Sequence, residues 1–147
     1  VVRKIFTSAT VYTMLGLVAG VYYRELTKAE HFTGTTQLAF VHTHLFALGM
    51  LFFLVVLALE KAFTLTASRW FPLFFITYQL GLVLTVTLLV VHGTMTVLGH
   101  ETGPAISGVA GLGHIGLATG LIFFLLALKE RVDAAERAPA APTADGA

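Results

Sequence analysis

Six histidines in a chain without cysteine set the chemistry that this sequence could carry. His42 and His44 lie two residues apart in one long apolar run. His92 and His114 each lie in another, while His31 and His100 fall in polar connections. Imidazole is the common protein ligand for iron, copper and zinc. With no thiolate to share the work, any metal chemistry falls to His, Met, carboxylates or Tyr. Two residues apart on an α-helix means directions separated by ~200°, so the rings of His42 and His44 cannot meet on one ordinary ion without distorting the helix. The pair serves two sites on opposite faces, or one site and one hydrogen bond. The i, i+4 spacing of zinc proteases is not present. Glu25, Glu30, Glu60 and Glu101 sit at the ends of the apolar runs or between them, which removes paired-carboxylate chemistry from the interior.

The elements that hold these histidines follow from composition. Of 147 residues 56% are hydrophobic and 12% charged, against roughly 25% charged in a soluble domain. The uncharged stretches at about 5–23, 38–59, 71–98 and 105–128 each reach the ~20 residues needed to span hydrocarbon. Inside lipid every backbone polar group needs an internal partner, so each must be a helix. The expected fold is all-α: an integral membrane four-helix bundle in one domain, residues 1–131, followed by an Ala- and Pro-rich tail, 132–147, expected to be disordered. The first stretch exceeds the apolar core of a cleavable signal and is read as a retained helix. A net charge of +1 leaves no basic patch for nucleic acid. The lipid bilayer is the partner that composition demands.

Arg3, Lys4, Lys61, Arg69, Lys129, Arg131 and Arg137 lie on one side of the spans and only Arg24 and Lys28 on the other. The asymmetry places both termini in the cytoplasm, in a bacterial inner membrane. The four histidines in the spans then lie about 5–15 Å below the outer surface, at ~1.5 Å of rise per residue, as one layer. Ionisable groups at that depth are costly and usually face the bundle interior. As ligands, His44 and His114 lead, His42 and His92 form a second site or support, and Arg24 offers a cation for heme propionates. The opposite reading makes these neutral imidazoles that bond Thr43, Thr85, Thr94, Thr96 or backbone carbonyls between helices. Gly16 and Gly20 form a small-residue pair suited to helix contact. Ser107, Ala110, Gly111 and Ala118 share a face with His114 by the 3.6-residue period, leaving space beside its ring for a neighbouring helix or a flat macrocycle.

The segment His42-Thr43-His44-Leu45-Phe46-Ala47-Leu48-Gly49 resembles the His-x-His-x-x-x-x-Gly helix of the catalytic subunit of heme–copper oxidases and nitric oxide reductases. That resemblance implies heme ligation from both faces of the second helix, with copper or another transition metal as the alternative cofactor. The chain carries one arc's worth of helices and no adjacent His-His pair. Over its whole length it resembles a small uncharacterised bacterial family of four-helix membrane proteins. Tyr23-Arg24-Glu25, His42-Thr43-His44-Leu45, Leu59-Glu60-Lys61 and the segment from Ile106 to His114 carry that likeness.

Two classes of function stand side by side. One is a heme- or metal-binding membrane protein, for electron transfer, gas binding or service to a respiratory partner. The other is a non-redox four-helix protein, a small transporter or a structural or accessory subunit, whose histidines only hydrogen-bond between helices. No catalytic residue is assigned, and whether the chain is an enzyme is left open. The opposed directions of His42 and His44 leave one ring outside a four-helix bundle, so a homo-oligomer is expected. The three-arc oxidase likeness prefers a trimer.

Overall fold

The computed structural model describes residues 1–100 and 104–137, and the side chains of 1–100 and 111–137. Four helices account for nearly all of it: α1 (Val2–Ala29), α2 (Leu38–Phe63), α3 (Phe71–Val97) and α4 (Pro104–Glu136). All four are long and apolar enough to cross a membrane, α4 from Gly111 onward. The chain is therefore a multi-pass membrane protein built as an all-α four-helix bundle. The helices outrun the uncharged stretches because hydropathy reports what lipid can cover, whereas backbone hydrogen bonding continues into the headgroup region. At ~1.5 Å per residue, the 28 residues of α1 exceed a ~30 Å hydrocarbon core. Likewise α4 continues to Glu136, so residues 132–136 of the expected 132–147 tail are helical; residues 138–147 lie outside the described residues.

Local chemistry starts and stops each helix. The Thr36 hydroxyl accepts the Leu38 N–H at 3.3 Å and donates to the Gly93 carbonyl at 2.8 Å, which caps α2 and ties it to α3 together. Thr64 ends α2 in the left-handed region, φ 53°, and Pro72 opens the first turn of α3. Within α2 the α-helix runs to His44, widens to a π-helix over Leu45–Leu51, and resumes at Phe52. The Tyr78 hydroxyl of α3 donates to the Leu48 carbonyl in that widened turn, at 3.0 Å.

The helices pack as two pairs. In the first, the Phe46 ring fills the space above Gly16, and Tyr12 fills that above Gly49. Gly16 and Gly20 thus do face α2, as small residues at a helix crossing should. In the second, a Cβ on Gly81 would lie 2.5 Å from the Leu117 N, and one on Gly120 2.8 Å from the Tyr78 Cα, so α3 and α4 touch backbone to backbone. Phe52, Phe53, Phe74, Tyr78 and Phe124 interlock between the pairs, with ring centroids 4.5–6.5 Å apart. Leu and Val side chains cover the outside.

The end at which both termini emerge is closed by paired polar groups. Glu60 turns inward, and its carboxylate accepts the Thr66 N–H at 2.8 Å and the Thr66 hydroxyl at 2.7 Å. The Ser68 hydroxyl donates to Glu130 at 2.8 Å and accepts the Trp70 N–H at 3.1 Å. Arg131 Nε donates to the Phe63 carbonyl at 3.0 Å. A helix C-terminus leaves such carbonyls orphaned, and here Arg131 from across the bundle satisfies this one.

Candidate functional site

The histidines do not make the site that their depth promises. His44 is half-buried, and its Nδ1 lies 2.8 Å from the Phe40 carbonyl, one turn back on its own helix. His42 faces α1: a Cβ on Gly20 would lie 4.0 Å from the His42 Cβ, and the Phe46 ring meets the imidazole edge-on at 6.4 Å. Its Nδ1 is shut off from solvent with no hydrogen-bond partner among the described residues, as is the Thr85 hydroxyl. His92 is half-buried, next to the tight crossing at Gly93, and His114 lies on the exposed side of α4. Gly111 and Ala118 are exposed with it, so the space beside that ring faces out of the bundle. Ser107 and Ala110 lie outside the described side chains. Arg24 is exposed and pairs with neighbouring Glu25 at 3.8 Å.

Among the described residues, no three His, Cys, Asp or Glu come together as a metal-holding group. A transition-metal site built from nitrogen and oxygen needs three or more convergent ligands. The expectations of a heme or of copper or another transition metal on His42, His44, His92 and His114, with Arg24 at the propionates, are thereby overturned. So is the heme–copper-oxidase likeness on which they leaned, together with redox function. The physical reason is direction: depth places these four rings in one layer, but His44 is held against its own helix, His42 is wedged against α1, His92 lies beside the tight crossing at Gly93 and His114 faces outward. Two of the threonines offered as partners are engaged elsewhere, since Thr94 meets the Tyr22 hydroxyl at 2.9 Å and Thr96 donates to the His92 carbonyl at 2.9 Å.

What converges inside the membrane is neutral and lies between α1 and α3. Tyr12 donates its hydroxyl to Gln79 Oε1, Gln79 Nε2 donates to Ser8 Oγ at 2.7 Å, and Ser8 donates onward to the Lys4 carbonyl at 3.1 Å. Nearer the other surface, Tyr22 and Thr94 close a second bridge. Between the bridges the two helices stand apart around an apolar crevice of about 310 Å³, lined by Leu15, Val18, Val41, Val86 and Val90 among others. An adjoining pocket of about 300 Å³ also takes in Tyr12. The lining offers no charge, and its polar side chains are Tyr12, Tyr22 and Thr87 among aliphatic residues, so the crevice suits hydrocarbon. Sequence reasoning missed the Tyr12–Gln79–Ser8 trio. The available signal was Gln79 itself, an amide in the middle of an apolar run, where a polar side chain tends to bond a neighbouring helix.

No curated protein and no solved structure matches the chain. A protein family does, over residues 2–131, from the first turn of α1 to the Arg131 that closes the bundle. A match across all four helices makes this chain a member of the family described as Protein of unknown function (DUF2871).

Proposed function

We propose that the chain is a non-redox structural or accessory subunit of a bacterial inner membrane, with both termini on the cytoplasmic face. The observation that carries this reading is the aromatic packing of Phe52, Phe53, Phe74, Tyr78 and Phe124 where a solute path would run. The polar side chains of the spans support it: Tyr12, Gln79, Ser8, Tyr22 and Thr94 hold helices together rather than line a passage. The orientation rests on the seven-to-two distribution of Lys and Arg. Self-association belongs to the same reading. Gly111 and Ala118 flank His114 on an exposed strip of α4, where a Cβ on Gly111 would meet nothing within 4 Å, leaving room for a second copy's helix. The preference for a trimer and the respiratory partner lose their basis with the oxidase likeness.

Proteoliposomes test the reading. With the chain alone in the bilayer, proton and potassium flux should match that of empty vesicles, and an Ala118→Cys variant oxidised in the same vesicles should give a disulfide-linked dimer. A saturable flux abolished by Gln79→Leu would establish the transporter reading instead. A variant that stays monomeric would remove α4 as the contact.

A further inference from the structure

On the face of α1 opposite the crevice, near the end that carries the termini, a second groove runs between α1 and α2. Phe6 supplies one wall, and Leu54, Leu57 and Ala58 supply the other, around a space of about 690 Å³. Arg3 and Lys61 stand at its mouth. From Lys61 down to Leu54 is seven residues, so the apolar floor descends roughly 10 Å from the cations.

The two cations lack a local counter-charge. Glu60, next to Lys61 in sequence, is turned into the bundle, where both carboxylate oxygens are taken by Thr66. The ion pairs among the described residues are Arg24–Glu25, Lys129–Asp133 and Arg137–Asp133, and none involves Arg3 or Lys61. A mouth with two cations above an apolar floor complements a molecule with an anionic head and a hydrocarbon tail.

We propose that this groove binds one anionic phospholipid, its phosphate between Arg3 and Lys61 and an acyl chain along Phe6, Leu54, Leu57 and Ala58. The tail alone gives little preference, because surrounding lipid is as apolar as the groove. Selection comes from charge: each cation at a membrane surface favours an anionic over a zwitterionic lipid by roughly fivefold. Two together select by at least about tenfold.

Native mass spectrometry of the full chain in mild detergent, with phosphatidylglycerol and phosphatidylcholine of matched chains added in competition, tests this. The first bound lipid should be phosphatidylglycerol, by about tenfold. Arg3→Gln with Lys61→Gln should abolish that preference while leaving the melting temperature in place, since both side chains are exposed. Lys4→Gln with Arg69→Gln removes equal charge from the same end and should leave the preference intact. Ala58→Phe fills the groove without touching charge and should weaken retention of the first lipid severalfold. A preference that survives the Arg3 and Lys61 changes, that falls equally with the Lys4 and Arg69 changes, or that ignores Ala58→Phe would overturn the site.

Discussion

The two sides of α3 meet their neighbours in opposite ways. Towards α4 the contact is backbone on backbone, with Gly81 against Leu117, Tyr78 against Gly120 and Thr85 against Gly113. Towards α1 the helices stand apart, and only long side chains reach across: Tyr12 to Gln79 near the middle and Tyr22 to Thr94 beyond it, with the crevice between. Close packing has no tolerance for added volume. A bridged gap yields by rotating a side chain. One helix therefore has a fixed face and an adjustable one, and the crevice falls on the adjustable side because that side never closed.

The sharpest way to break this contrast is Gly81→Leu. Its Cβ would press on the α4 backbone, which cannot give way as a side chain can, so a loss of about 3 kcal/mol or more is expected. Gly111→Leu, with open space around it within one copy, should cost the monomeric bundle almost nothing, its effect being confined to the contact proposed between copies. Unfolding in mixed detergent micelles measures both, and equal losses would end the distinction between the faces. Gln79→Leu is next. It leaves the Tyr12 and Ser8 hydroxyls without their α3 partner, at a cost of about 1 kcal/mol, in the upper range for hydrogen bonds between membrane helices. The smallest effect belongs to Tyr22→Phe, about 0.5 kcal/mol, because that hydroxyl lies on an exposed edge. If Tyr22→Phe proves costlier than Gln79→Leu in the same titration, the bridge at Thr94, beside His92, is the one that holds α1.

Four crossings are legible in the sequence because lipid imposes one simple demand, a long uncharged run that satisfies its own backbone. Gly16 and Gly20 are legible for a similar reason, since small residues one turn apart serve close approach. The histidine layer misleads because rise per residue gives depth while orientation depends on neighbours. His44 turns back on Phe40, and His42 meets Phe46 and the face of α1 at Gly20. Neither outcome has a sequence signature. Glu60 reads as a surface acid at a helix end until Thr66, six residues on, curls back over it. Tyr12 and Gln79 are 67 residues apart, and nothing local in either helix announces the other.

The π turn of α2 explains a regularity that an ordinary helix would not keep. The buried positions along this span are Leu38, Val41, Leu45, Gly49, Phe53, Val56 and Glu60. From Val41 to Phe53 they come every fourth residue. In an α-helix each such step overshoots a full turn by about 40°, so three steps would carry Phe53 about 120° around the cylinder, out of the core and into lipid. Widening the turn over Leu45–Leu51 takes up that overshoot. The inward stripe stays straight across two segments with separate phases, like two rulers joined with the graduations aligned. Deleting one residue within Leu45–Leu51 would leave α2 helical yet turn everything before it, His42 and His44 included, by about 100° relative to Phe52 and Phe53. The two histidines owe their present bearings to a surplus residue downstream of them.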